Sequence, residues 1–393
     1  MSTSHQPGLH IPLSAPDIGE AEIEAVVSVL RSGRLSLGPK LEEFEAAMAR
    51  YAGVPHAVAV SSGTAGLHLC LLALGIGAGD EVLVPSFTFI AAANAIRFVG
   101  ATPVFVDIDP VTLNIDPEKI AAAVTPRTRA ILAVHTFGIP AEMEPILALA
   151  RAHGLLVIED ACEALGAGYA GQRVGSFGDA GVFAFYPNKQ ITTGEGGMIV
   201  TRDAQLAARL RALRNQGRTG GDWFDHQELG YNYRLSELAC ALGLAQMQRV
   251  ESILALREQA AQAYSDALQI FPQLILPPLT LPKRRISWVV YAVRLRAEYS
   301  QHDRDALLSA LAARGIACGR YFAPIHQQPC YAAWRHRHAL PVTESHAARM
   351  LALPFFTQIA PAQIATVSQA LQSALAAWPA THSGEPHAAL CSS

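Results

Sequence analysis

Between residues 57 and 185, short runs of β-branched and apolar residues alternate with Ala/Leu-rich segments, and no other property of the chain constrains its fold as tightly. The runs lie at 57–60, 81–85, 102–107, 130–134, 155–159 and 181–185. Between them, 65–74, 90–99 and 144–152 repeat apolar residues at helical spacing. A strand that is apolar on every residue must be covered on both faces, which is the condition of a parallel sheet with crossover helices above and below it. The expected fold is a three-layer α/β domain with a mostly parallel sheet.

At 393 residues the chain is longer than one hydrophobic core usually serves. A Leu/Ala-rich stretch at 236–268 leads to a proline-rich connector at 271–288, containing Phe271-Pro272, Pro277-Pro278 and Pro282. A strand-like segment at 288–295 and a helix at 303–314 follow. We therefore expect a large domain over 12–250, a smaller C-terminal α+β domain over 251–378, and flexible tails at 1–11 and 379–393. A net charge of −3 provides no general field for nucleic acid. The six cysteines, Cys70, Cys162, Cys240, Cys318, Cys330 and Cys391, lack zinc-knuckle or redox-pair spacing and read as reduced thiols. With no signal-peptide pattern and no bilayer-length apolar run, the cytoplasm is the expected location.

Three segments carry chemistry. In Phe185-Tyr186-Pro187-Asn188-Lys189-Gln190, a single lysine stands between an apolar strand and the small and hydroxyl residues Thr192-Thr193-Gly194-Glu195-Gly196-Gly197. Desolvation there would lower its pKa and leave an amine able to attack an aldehyde; an ordinary loop lysine explains the segment equally well. Val157-Ile158-Glu159-Asp160 is an apolar strand ending in carboxylates, at the edge where α/β sheets bind ligands. Asp160 there could hold a pyridine nitrogen protonated, or simply cap the next helix. Ser61-Ser62-Gly63-Thr64-Ala65-Gly66 follows the first strand and opens a helix, forming a phosphate cradle or a plain cap. The order of phosphate turn, aromatic loop Phe87-Thr88-Phe89, acidic strand end and lysine is more specific than any one of them.

In that order and in these stretches the chain resembles the DegT/StrS-type nucleotide-sugar aminotransferases, which have the aspartate-aminotransferase fold and use pyridoxal 5′-phosphate (PLP). The similarity runs from about residue 12 to residue 372 and is most specific at 61–69, 79–96, 100–110, 158–167, 175–201 and 230–246. It implies that Lys189 forms the Schiff base, Asp160 partners the pyridine nitrogen, Gly63 and Thr64 bind phosphate, and Phe89 stacks on the ring. It also implies a homodimer, with Asn232 reaching the phosphate of the neighbouring subunit's cofactor. Substrate contacts are expected from His135, Tyr321, His326 and Tyr331; ordinary packing accounts equally well for His326 and Tyr331.

Two positions depart from the family pattern. Glu163 stands where much of the family has a glutamine facing the cofactor's phenolic oxygen, and members resembling perosamine synthases share the glutamate. Ala184 stands where a serine usually binds phosphate, which implies weaker cofactor retention. The expected reaction moves an amino group, from L-glutamate by analogy, to a keto-sugar nucleotide, with a 4-keto-6-deoxyhexose favoured. Lys189 argues against the related sugar 3-dehydratases, which have histidine there. A cyclitol aminotransferase and a non-catalytic regulator with this fold remain as alternatives.

Overall fold

The computed structural model describes residues 10–220, 224–334 and 339–376. The tails expected at 1–11 and 379–393 therefore lie almost wholly outside the described residues, as does Cys391; Ile11 is described and fully buried.

A seven-stranded sheet has the spatial order His56–Val60, Gly197–Thr201, Ala180–Ala184, Leu156–Asp160, Thr128–Val134, Glu81–Pro85, Thr102–Val106. Six strands are parallel, and Gly197–Thr201 runs antiparallel to both neighbours. Side-chain alternation divides each strand between two cores. Val58, Val82, Val84, Leu132 and Ile158 pack on one face, against the helices Gly63–Ala73, Ala91–Phe98 and Ala204–Arg214. Ala57, Ala59, Leu83, Ile131 and Val157 pack on the other, against Pro39–Ala52, Pro117–Ala123, Met143–His153 and Glu237–Gln248. This is the three-layer α/β architecture that the doubly apolar strands require.

The helix Val250–Leu268 spans two cores: Ile253 and Leu254 pack beneath the seven-stranded sheet, Ala260, Ala261, Tyr264 and Leu268 in a second cluster. That cluster is built on the antiparallel strands Leu274–Ile275, Tyr291–Leu295 and Met350–Leu353 with the helices Gln301–Ala312 and Pro361–Ala376. Ile11 joins it through a bridge to Ile316.

Gly197–Thr201 has no counterpart among the expected strands, because its lead-in of glycines and threonines reads as loop. It is formed by pairing on both sides: Gly197 faces Val60 on one neighbour and Ala184 on the other. A Cβ at Gly197 would lie 2.6 Å from the Ser62 carbonyl carbon, so this close approach requires glycine.

Candidate active site

Parallel strands deliver their C-terminal ends to one edge of the sheet, and a cavity of about 560 Å3 opens there. Each wall follows from a strand end: Ser62, Gly63 and Thr64 after the first strand, Thr88 and Phe89 after Glu81–Pro85, Asp160 at the end of its own strand, and Ala184 and Lys189 at and beyond the end of Ala180–Ala184. Arg320, Tyr321, Phe322, Ala323 and Gln328 close the cavity from the C-terminal segment.

Lys189 stands in the cavity with its Nζ donating to Glu163 Oε1 at 3.0 Å. Burial alone would lower this ammonium, but Glu163 foremost, and Asp160 with it, outweigh burial and hold it above its ordinary value of 10.5. The lowered value expected from desolvation is thus corrected for the cofactor-free protein, since the expectation did not count the carboxylates that the fold places beside the amine. The other Glu163 oxygen accepts from the Phe137 amide at 3.0 Å. Phe137 has φ of 56°, a left-handed conformation that a bulky residue adopts only under tertiary constraint, and here it turns the amide toward Glu163.

Asp160 accepts from the Cys162 amide at 3.1 Å. Burial, reinforced by Glu163, raises its carboxyl above the ordinary 3.8 despite the Cys162 amide and Lys189. The bond to Cys162 is the capping-type contact that the sequence leaves open, yet the carboxylate also lines the cavity. Burial likewise pushes the Cys162 thiol well above its usual range, so it faces the cavity uncharged.

At the turn Ser62-Gly63-Thr64, the Ser62 hydroxyl accepts from the Ala65 amide at 3.0 Å and opens the helix Gly63–Ala73. The amides of Gly63 and Thr64 precede the first intrahelical bond, in which Gly66 donates to the Ser62 carbonyl. A Cβ at Gly63 would come within 2.7 Å of Cys162 Sγ and 2.8 Å of Ala184 Cβ. Phe89 is 62% exposed although apolar, with its ring at the cavity.

Not every expected residue reaches the cavity. Tyr321 lines it, and burial, with the Glu163 carboxylate, raises its phenol. His135 is fully buried away from it: Nδ1 accepts from the Ala141 amide at 3.0 Å, and Nε2 meets Glu159 at 3.0 Å. His326 and Tyr331 are also buried outside the lining, bonded to Ser86 and Asn94 respectively. Asn232 is exposed, bridges Asn215 through its backbone and does not line its own chain's cavity. Conversely, Asn188, Cys162 and Arg320 line the cavity without having been singled out for the site. Asn188 neighbours the lysine in the quoted motif, and that adjacency was the available signal.

These residues fit the cofactor that the fold class implies. The Asn188 Oδ1 is buried without a hydrogen-bond partner, the turn at Gly63 is held open by the absence of a Cβ, and the strand-end carboxylate of Asp160 faces the same space as Lys189.

Comparisons with known proteins show the family. A model of the DegT/DnrJ/EryC1/StrS aminotransferase family matches residues 16–372. A GDP-perosamine synthase of Caulobacter vibrioides is 46% identical over 324 residues, which is 82% of this chain and 87% of that protein. Among solved structures, S. venezuelae DesV, in complex with a ketimine intermediate, superposes with a TM-score of 0.85 at 39% identity, over 93% of this chain and 98% of its own. Helicobacter pylori PseC, an aminotransferase involved in the biosynthesis of pseudoaminic acid, gives 0.89 at 28% identity, over 94% of this chain and 100% of its own.

Proposed function

We propose, from the premise that this chain belongs to the DegT/DnrJ/EryC1/StrS aminotransferase family, that it aminates the ketone of a 4-keto-6-deoxyhexose nucleotide with L-glutamate as donor and PLP as cofactor. The observation that carries the reading is the convergence of Lys189, Asp160 and the start of helix Gly63–Ala73 on one cavity. Support for the substrate class comes from the perosamine synthase relative and from Glu163, which this chain has where glutamine is common.

Lys189 would hold the cofactor covalently, Asp160 would face its ring nitrogen, and Glu163 its phenolic oxygen. Gly63 and Thr64 would receive the phosphate at the positive end of their helix, and Phe89 would cover the ring. When bound, the cofactor supplies an exchangeable carbonyl and an electron sink for loss of a proton from the substrate carbon. The chain's own part is proton handling and orientation. Glu163 keeps Lys189 Nζ positioned; as a free amine, Nζ would carry a proton between the substrate carbon and the cofactor carbon on the other side of their shared nitrogen, two bonds away. Asp160, a buried carboxyl, would favour a protonated ring nitrogen beside it.

Asn232 belongs, in this reading, to the site of a second copy of the chain, which agrees with its exposure and its absence from its own cavity. The experiment is direct: Lys189→Ala should remove both the visible absorbance of the bound cofactor and all turnover, and wild-type rates in that variant would sink the assignment. Assays of GDP-, dTDP- and UDP-linked keto-sugars and of a keto-inositol, each with L-glutamate and with L-glutamine, test the substrate and the donor separately.

A further inference from the structure

We propose that His326 is a positioning residue, a buried pin that fixes the wall formed by 320–328 to the strand end carrying Phe89; the functional part of this proposal rests on the reading above. His326 does not face the cavity, whereas Arg320, Tyr321, Phe322, Ala323 and Gln328 around it do. Its Nδ1 lies 2.7 Å from Ser86 Oγ and its Nε2 3.0 Å from Glu344 Oε1. The tautomer with its proton on Nε2 satisfies these contacts. In it Ser86 Oγ accepts from the His326 backbone amide at 3.1 Å and donates its own proton to Nδ1, while Nε2 donates to Glu344. The Ile325 amide also donates to the Ser86 carbonyl at 3.0 Å.

Ser86 is fully buried and is followed directly by Phe87-Thr88-Phe89. The contacts to it therefore tie the substrate-facing wall to the loop that presents Phe89. Glu344, on the far side of the ring, sits on the helix Pro341–Arg349. That helix is itself held at Asp107, which accepts from the Val342 amide (3.0 Å), the Thr343 amide (2.8 Å) and the Thr343 hydroxyl (2.8 Å). Farther along, Tyr331 donates to Asn94 at 2.8 Å, on the helix Ala91–Phe98 that begins just after Phe89. Both ties hold the wall to elements flanking Phe89. Ahead of them, Tyr321 and Phe322 stack on Phe137, whose amide holds Glu163.

A wall fixed in this way matters most to the substrate that reaches farthest along it. The sugar nucleotide extends well beyond the reacting carbon and the amino-acid donor does not, so loss of the pin should fall on the former. His326→Leu should raise the KM for the keto-sugar nucleotide about 10-fold, with the donor KM changing less than about 3-fold, as expected for losing one or two buried hydrogen bonds. His326→Asn, which can still accept from Ser86, should recover most of that loss. Ser86→Ala should have a similar effect, and the double variant Ser86→Ala/His326→Leu should be no worse than the more severe single one.

Hydrogen–deuterium exchange of the cofactor-loaded enzyme without substrate provides the second readout. Peptides covering 320–328 should exchange faster in both single variants. Unchanged exchange there, or additive effects in the double variant, would overturn the pin. Equal rises in both KM values, or a fall in kcat alone, would overturn its selectivity for the larger substrate. If His326→Leu does not fold, Ser86→Ala carries both measurements. Exchange requires no turnover, so a wild-type enzyme inactive on every sugar nucleotide would remove the functional reading while the exchange data still judge the pin.

Discussion

Lys189 and Glu163 form an ion pair at 3.0 Å in which both side chains are largely buried. Because the pair raises the folded-state value of Lys189 above 10.5, its stabilisation is fully present below that pH and is lost as pH climbs through the raised value. Glu163→Gln should therefore destabilise the cofactor-free protein by about 1–3 kcal/mol near neutrality. The gap from wild type should narrow above pH 10.5 in denaturant titrations, and a gap independent of pH would contradict the assignment.

Asp160 works in the opposite sense. Its folded value is raised, so ionising it costs stability progressively as pH rises from 3.8 through that raised value. Asp160→Asn should leave the cofactor-free protein at least as stable as wild type at neutral pH, while turnover falls by about 10²-fold or more. A parallel loss of melting temperature would mean that the residue acts only as a cap.

The space around Gly63 predicts two outcomes. Gly63→Ala pushes a methyl group against Cys162 and Ala184 and should weaken PLP binding and cost about 1–3 kcal/mol of stability. Ala184→Ser places a hydroxyl at the start of helix Gly63–Ala73 and should tighten PLP, measured by equilibrium dialysis against free cofactor; an unchanged affinity counts against a missing phosphate contact at this position.

His135 should behave as a structural residue. His135→Ala leaves buried Glu159 short of one donor, although the amides of Gly175, Phe177 and Gly178 still bond to it. The expected loss is about 1–3 kcal/mol of unfolding free energy, with KM for either substrate little changed. A large rise in KM without loss of stability would return His135 to the substrate site.

How far the sequence could be read depended on the range of the interactions involved. The parallel strands and their helices follow from local apolar pattern, and Lys189, Asp160 and the Gly63-Thr64 turn lie at the strand ends that this pattern predicts. The strand Gly197–Thr201 escaped, since its identity depends on partners far away in sequence. His326 was legible as a notable residue but not as a pin, because Ser86 lies 240 positions away. The upward shift of Lys189 required knowing that Glu163 comes within bonding distance, and spacing along the chain does not disclose that.

The antiparallel strand has a consequence for how this protein can change. Lys189 rides on an excursion from Ala184 to Gly197, two residues that face each other across the sheet, while Gly197 also faces Val60, beside the Gly63-Thr64 turn. Both ends of the excursion are thus locked in register to the turn that the lysine must work with. Adding or deleting a single residue between them would leave the sheet intact yet move the amine relative to that turn, so the length of this segment should tolerate far less variation than its composition.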